Sequence, residues 1–266
     1  MPWSDYPEAS FIQVEDTLKG LQQLAYYHRH QFPLKTIGIT GSNGKTIVKE
    51  WLFDLLHLDF RIVRSPKSYN SQIGVPLSVW QIRPEHNLGI FEAGISEMGE
   101  MERISPIIDC QIGIFTNIGE AHAAGFPSKV EKVKQKLRLF DHAQTLIYCK
   151  DYPVIHQEVS KLDKNTFSWS RKEKADLQIT GIHPQSQWQT RIEGFFAQKA
   201  VSILLPFTDE ASIENAIHCW ALLLKLGFPM TVIQERMLQL EPVGMRLQLI
   251  QAVNQCTLIN DSYNSD

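Results

Sequence analysis

The chain has 266 residues, of which 43% are hydrophobic and 21% are charged, and its formal net charge is −3. This composition excludes a disordered or fibrous protein and predicts one large or two small globular domains. The near-neutral charge argues against a protein that binds mainly nucleic acid or an anionic membrane surface.

Cysteine usage and hydropathy indicate a cytoplasmic protein. The four cysteines lie far apart and form no Cys-x-x-Cys pair, which argues against disulfides and against a structural zinc site. No apolar run approaches the ~20 residues that a membrane helix needs. Residues 1–8 also lack the basic start and apolar segment of a signal peptide. We therefore expect a reduced cytoplasmic protein without a membrane span.

Strands and helices are predicted to alternate through the first part of the chain. The predicted strands are 36–40, 60–63, 88–92, 111–116 and 145–149. The predicted helices are 14–32, a segment from the Gly-rich loop to about 57, 75–82, 100–108 and 129–142. Continuously apolar strands between helices are typical of a parallel sheet covered on both faces. Ligands of such sheets bind at the carboxyl ends of the strands, where Thr40, Glu92 and Thr116 lie.

The pattern changes after Thr166. Shorter alternating strands are predicted at 167–169, 177–180 and 187–192, which suggests a small antiparallel sheet. Helices at 211–226 and 230–240 and strands at 247–252 and 257–260 complete the prediction. The expected fold is a three-layer α/β domain of the P-loop type, with a mainly parallel sheet and a small antiparallel appendage.

A Gly-rich loop lies between the predicted strand 36–40 and the following helix. Its sequence is Gly41-Ser-Asn-Gly-Lys-Thr46, and glycines in this context let backbone N–H groups face phosphate oxygens at a helix N-terminus. Lys45 is predicted to reach the β- and γ-phosphates and Thr46 to hold Mg²⁺. The spacing departs from Gly-x-x-x-x-Gly-Lys-Ser/Thr, because Ile39 occupies the place of the first glycine. A turn with a solvated lysine is the alternative interpretation. The predicted nucleotide-binding residues are Gly41, Ser42, Asn43, Gly44, Lys45 and Thr46.

Further motifs follow the loop in order along the chain. They are Asn70-Ser-Gln-Ile-Gly-Val-Pro76, Glu92-Ala-Gly94, Thr116-Asn-Ile-Gly-Glu-Ala-His122, Asn215-Ala216, Gly244-Met-Arg246 and Asp261-Ser-Tyr-Asn264. Together with the loop, this series resembles the Mur ligases, the ATP-dependent amide-forming enzymes of peptidoglycan precursor synthesis. The motif sequences most resemble those of the branch that joins UDP-MurNAc-tripeptide to D-Ala-D-Ala. Folylpolyglutamate synthase and other amide ligases share the core and stay open as alternatives.

The resemblance implies a reaction and its catalytic residues. ATP phosphorylates a substrate carboxylate to an acyl phosphate, which the amine of the second substrate attacks. Lys45, His122 and Lys136 are then the catalytic residues. Thr46 and Glu92 are expected to hold one Mg²⁺, and His122 and a carbamylated Lys136 a second. From the residues alone, Lys129, Lys134 and Lys136 are more readily interpreted as solvated lysines of a basic helix.

The resemblance also assigns binding residues. Asn215 is expected to contact adenine, Asp261 the ribose and Arg246 the ATP phosphates, while Asn70 and Ser71 line the muramyl-peptide side. One departure is that residues 209–212 replace the Gly-x-His-Asn that the family has before the adenine-contacting asparagine. The adenine pocket is therefore expected to be looser or differently built.

The resemblance further predicts the domain organisation. Residues 1–34 are expected to be a linker helix from an N-terminal UDP-binding domain, 35–260 the central ATP-binding domain, and 261–266 the start of the connection to a C-terminal domain. Those domains and the two small-molecule substrates are the expected partners, so the isolated chain is expected not to complete ligation.

Two alternative functions remain, a P-loop phosphotransferase or NTPase and a non-catalytic nucleotide-binding module. Trp51, Trp80 and Trp220 are interpreted as core residues and not as base-stacking platforms.

Overall fold

The computed structural model describes residues 7–119, 125–244, 248–251 and 256–260. The helices are α1 (Thr17–Arg29), α2 (Lys45–Leu56), α3 (Gly74–Val79), α4 (Glu100–Ile108), α5 (Lys129–Leu137), α6 (Pro153–Val159), α7 (Glu210–Lys225) and α8 (Met230–Leu238). The strands are β1 (Lys35–Thr40), β2 (Ile62–Arg64), β3 (Leu88–Glu92), β4 (Ile112–Phe115), β5 (Thr145–Cys149), β6 (Thr166–Ser170), β7 (Leu177–Pro184), β8 (Thr190–Phe196), β9 (Lys199–Leu205), β10 (Gln248–Gln251) and β11 (Thr257–Asn260). No helix within these ranges is long and apolar enough to cross a membrane.

One sheet of nine strands forms the centre of the molecule, in the order β2-β3-β1-β4-β5-β6-β7-β8-β9. The pairs from β2 to β7 are parallel, whereas β7–β8 and β8–β9 are antiparallel. Strands β10 and β11 form a separate antiparallel pair. The predicted fold class, a mainly parallel α/β domain with an antiparallel part, is confirmed.

Helices cover both faces of the sheet. Apolar residues of α2, α7 and α8 form one core cluster with one face of the strands. Apolar residues of α1, α3, α4, α5 and α6 form a second cluster with the opposite face. Adjacent strand residues divide between the two clusters, as Ile114 and Phe115 do, because successive side chains of a strand point to opposite faces. Burial on both faces is why these strands are continuously apolar.

The strand order places three loops at one edge of the sheet. Strand β1 lies between β3 and β4, with Ile39 opposite Glu92 and Thr40 opposite Phe115. The connection after β1 leads to α2 on one face, and those after β3 and β4 lead to α4 and α5 on the other. Chains that leave in opposite directions open a crevice between them, which is where ligands bind in such sheets.

Several predicted details are wrong. Strand β6 pairs in parallel with β5, and the antiparallel strands extend the main sheet instead of forming a sheet of their own. Helix α6 and strand β9 were not predicted at all. Trp51 and Trp220 are buried as expected, but Trp80 is 51% exposed and its ring packs on His28 of α1.

Candidate functional site

The Gly-rich loop connects β1 to α2 at the carboxyl edge of the sheet. Gly44 caps α2 with a φ of 80°, a left-handed conformation that glycine adopts without steric cost. The Lys45 ammonium folds back over the loop and donates to the carbonyl oxygens of Gly41 (3.0 Å) and Ser42 (3.1 Å). The loop thus has the strand–loop–helix geometry of a phosphate-binding loop, with a cation at its mouth.

Residues 116–119, which follow β4, brace this loop. The Thr116 hydroxyl donates to the Asn43 carbonyl at 2.6 Å. Asn117 accepts from both Ser42 N and Asn43 N, through its carbonyl (3.0 Å) and its Oδ1 (2.9 Å). Gly119 N in turn donates to Ser42 Oγ at 2.9 Å. The loop and the 116–119 segment therefore form one hydrogen-bonded unit.

A buried carboxylate lies beside the start of α2. Glu92, the last residue of β3, is 0% exposed, and Thr46 Oγ1 lies 3.0 Å from its Oε2. Asn70 Nδ2 approaches the same oxygen at 3.5 Å. A threonine hydroxyl and a carboxylate next to a phosphate-binding loop form an oxygen donor set of the kind that Mg²⁺ prefers. The residues present therefore fit a magnesium ion.

Lys49 is a site residue that sequence reasoning missed. Its ammonium is fully buried, lies 3.5 Å from Glu92 Oε1 and 2.9 Å from Glu50 Oε1, and donates to the Ser65 carbonyl at 2.7 Å. It also donates to the Lys67 carbonyl. A buried carboxylate requires such compensation. The spacing could have revealed it, because Lys49 is one turn after Lys45 on the same helix face.

Lys136 lies directly against the Gly-rich loop. It is 3% exposed, and its Nζ is 3.1 Å from the Gly41 carbonyl. Burial holds its pKa well below the usual range, and the neighbouring Lys45 and Lys132 cations lower it further. Lys132 is also buried and donates to the Gly119 carbonyl at 2.9 Å, whereas Lys134 on the same helix is exposed.

Helix α7 approaches the loop from the other face of the sheet. Asn215, 4% exposed, places its side-chain amide so close to Gly44 that a Cβ at that glycine would collide with it. Its neighbour Glu214 accepts from the Tyr152 hydroxyl at 2.7 Å and from the Asn117 side chain. Burial raises the pKa of Glu214, and these two hydrogen bonds partly oppose that rise.

The structure brings together most of the predicted site residues that it describes. Residues 41–46, Glu92, Asn70, Lys136 and Asn215 all contact the loop or Glu92. Ser71 instead is exposed, and its Oγ accepts from Gly74 N at 3.1 Å at the start of α3. The remaining predictions, His122, Arg246 and Asp261, lie outside the described residues.

Replacing Gly44 with alanine is expected to weaken nucleotide binding by at least about tenfold. The new methyl group would both strain the left-handed backbone, at about 1–2 kcal/mol, and displace Asn215. Gly99→Ala is the matched control, since Gly99 also caps a helix with φ 77° but has no atom within 4 Å of the place that a Cβ would occupy. Calorimetric titration with MgADP measures the effect. Equal affinities of the two variants would mean that the close approach of Gly44 to Asn215 does not affect nucleotide binding.

Comparison with known proteins places these features in a family. Residues 39–223 match the Mur ligase middle domain. The UDP-N-acetylmuramoyl-tripeptide–D-alanyl-D-alanine ligases of Bacillus subtilis and Treponema pallidum are 28% and 30% identical to this chain over 263 and 269 residues. These alignments cover 96% and 99% of this chain but 55% and 56% of the two relatives. The chain therefore spans about half the length of these relatives.

Solved structures agree with the sequence comparison. A crystal structure of MurF from Acinetobacter baumannii has a TM-score of 0.86 and 28% identity, covering 96% of this chain and 56% of that chain. MurF ligase from Thermotoga maritima, solved in complex with ADP, has the same fold at a TM-score of 0.84 and 22% identity. That likeness covers 97% of this chain and 61% of the Thermotoga chain.

Proposed function

The chain belongs to the Mur ligase family through its middle domain, and we propose that it is the ATP-binding part of a ligase that joins UDP-MurNAc-tripeptide to D-Ala-D-Ala. The observation that carries the proposal is the convergence on one loop of Lys45, the Thr46–Glu92 pair and the buried amine of Lys136. Cations and a divalent-metal site around a phosphate-binding loop suit the transfer of a phosphoryl group. The similarity to D-alanyl-D-alanine-adding ligases supports this choice of substrates.

The residues of the loop bind and orient ATP in this proposal. Backbone N–H groups at the start of α2 face the phosphates, and Lys45 turns from the Gly41 and Ser42 carbonyls to the β- and γ-phosphates. Asn215 contacts adenine, and Arg246 and Asp261 contact the phosphates and the ribose. Asn70, beside Glu92, and Ser71 face the muramyl peptide. The product of the first step is an acyl phosphate on the peptide carboxylate, which the amine of D-Ala-D-Ala then attacks with release of phosphate.

Two magnesium ions belong to the proposed site. Thr46 and Glu92 would hold one, and His122 and Lys136 the other. When bound, Mg²⁺ neutralises the negative charge that accumulates on the transferring phosphoryl group. Lys49 contributes by holding the Glu92 carboxylate and the carbonyls of Ser65 and Lys67 in place beside Thr46.

Lys136 is proposed to act as a carbamate. Only a neutral amine attacks CO₂, with formation of an N–C bond and loss of one proton, and the lowered pKa of Lys136 supplies that neutral amine. The carbamate would supply oxygens to the second Mg²⁺. Lys129 and Lys134, which competed for this role in the sequence, are exposed and lack this environment.

The domain organisation and location are also proposals. Residues 1–34 serve as a linker from a UDP-binding domain, 35–260 as the central domain and 261–266 as the start of a connection to a domain that binds D-Ala-D-Ala. A protein that consumes ATP and a UDP-linked precursor is proposed to work in the cytoplasm.

Substrate-dependent release of ADP by the full-length protein tests the proposal. ADP formation is expected to require UDP-MurNAc-tripeptide, and the pentapeptide product to require D-Ala-D-Ala as well. ADP release at the same rate with neither substrate would instead identify a P-loop NTPase. No nucleotide binding at all would overturn the proposal as a whole.

A further inference from the structure

His218 is fully buried on α7, between the core and the candidate nucleotide site. Its Nδ1 lies 3.1 Å from Trp169 Nε1, and its Nε2 lies 2.9 Å from the Thr116 carbonyl oxygen. An indole N–H can only donate, so Nδ1 accepts its hydrogen bond. The proton of the neutral ring is therefore on Nε2, which donates to Thr116. The two contacts together determine a single tautomer.

The imidazole stays neutral in this environment. Burial lowers the pKa of His218 to about 4, and the hydrogen bond to the Thr116 backbone opposes this only in part. A neutral ring with one donor and one acceptor matches its two partners without leaving a buried polar atom unpaired.

Thr116 connects His218 to the phosphate-binding loop. Its backbone N donates to the Thr40 carbonyl at 2.9 Å, and its hydroxyl donates to the Asn43 carbonyl at 2.6 Å. The side chain also packs so closely on Gly41 that a Cβ there would collide with Oγ1. A shift of the Thr116 carbonyl would therefore move the first half of the loop, from Gly41 to Asn43.

Helix α7 holds the bracing segment at two successive turns. His218 binds the Thr116 carbonyl, and Glu214, one turn earlier on the same helix, binds the Asn117 side chain. Asn117 accepts from the backbone of Ser42 and Asn43. Helix α7 thus fixes the loop through buried polar contacts, in addition to its apolar packing.

We propose that His218 is a positioning residue of the nucleotide site, which connects Trp169 to Thr116 and holds the 116–119 segment in the geometry that braces the phosphate-binding loop. His218 lies outside the motifs identified in the sequence. The proposal rests on the nucleotide-binding role of the loop given above.

Two substitutions in the full-length protein separate the two contacts of the ring. The amide nitrogen of His218→Gln can occupy the place of Nε2 and donate to Thr116. The shorter His218→Asn reaches only the place of Nδ1 and can keep the contact with Trp169. Each variant loses one buried hydrogen bond, so the thermal stabilities of the two are expected to be similar.

Calorimetric titration with MgADP gives the decisive comparison. His218→Asn is expected to bind about tenfold more weakly than the unaltered protein, the equivalent of one hydrogen bond, while His218→Gln stays within about threefold. Equal affinities of the two variants, or losses that follow their melting temperatures alone, would overturn the proposal. If the unaltered protein itself failed to bind MgADP, the proposed function would be wrong. A failure of the His218 proposal alone would leave MgADP binding by the unaltered protein intact.

A measurement on the unaltered protein tests the proposal even if the variants fail to fold. Nitrogen NMR of the histidine rings in the unaltered protein is expected to show one ring with its proton on Nε2 and no protonation across the neutral pH range. A ring that exchanges between tautomers, or one protonated on Nδ1, would contradict the connection between Trp169 and Thr116.

Discussion

Lys45→Met in the full-length protein is expected to lower kcat for ligation by about 10²–10³-fold, the range seen when one preorganised charge-stabilising donor is removed. The Lys45 ammonium lies at the mouth of the loop, bound to the Gly41 and Ser42 carbonyls, from where it can turn to the phosphates. In the proposed mechanism its charge stabilises the transition state more than bound ATP, so KM for ATP is expected to change less than kcat. Steady-state assays of ADP formation measure both constants.

A surface lysine provides the control for Lys45. Lys19 of α1 has a side chain that is 74% exposed, and Lys19→Met removes the same charge far from the loop. We expect ligation by this variant to match that of the unaltered protein. If kcat for Lys45→Met were within a few-fold of that for this control, Lys45 would have no catalytic role and the proposed mechanism would be wrong on this point.

Lys136→Met is expected to reduce ligation by a similar factor of about 10²–10³ and to abolish its dependence on CO₂. Methionine has nearly the volume of lysine and avoids the cost of a buried amine, so this variant is expected to remain folded. The unaltered protein should lose activity in CO₂-depleted buffer and recover it on addition of bicarbonate. The variant should respond to neither treatment.

Two further measurements separate carbamylation from a simple structural role of Lys136. Lys134→Met, on the exposed side of the same helix, is expected to keep both the activity and the response to bicarbonate. Mass spectrometry under native conditions with MgATP should show the mass of one added CO₂, which Lys136→Met abolishes. Full activity of the unaltered protein without CO₂ would contradict the carbamate.

The elements that could be predicted are those whose hydrophobic pattern in the sequence matches their burial in the folded protein. Strands β3 and β5 and helix α4 have the predicted boundaries, because continuous apolar runs and helical spacing correspond to burial in this sheet. Strand β9 was missed because its hairpin turn is Ala197-Gln198, with φ values of 47° and 63°. Such turns usually contain asparagine or glycine, so the expected sequence signal is absent.

The parallel pairing of β6 could not be predicted for a different reason. Helix α6, which crosses from β5 to β6, is only seven residues long, and its sequence carries a weak helical pattern. Without that helix, the short strands after Thr166 are readily interpreted as hairpins. The sequence likewise does not show whether an aromatic residue in an apolar segment is buried. Trp80 is half exposed and packs against His28 of α1 instead of entering the core.

The candidate site was predictable in its motifs but not in its supporting residues. Residues 41–46 follow the end of β1 and Glu92 is the last residue of β3, which is a local signal. His218 carries no such signal, because it lies within the apolar run of α7, and its partners are 49 and 102 residues away in sequence. Only the folded chain brings those groups together.

Isotope transfer from the substrate carboxylate to phosphate tests the central claim most directly. The full-length protein is supplied with ATP, D-Ala-D-Ala and UDP-MurNAc-tripeptide whose terminal carboxylate carries a heavy-oxygen label. If the site phosphorylates that carboxylate, each phosphate released contains one oxygen from the peptide. Unlabelled phosphate, with heavy oxygen retained in the peptide, would mean that water attacks ATP and would contradict acyl phosphate formation.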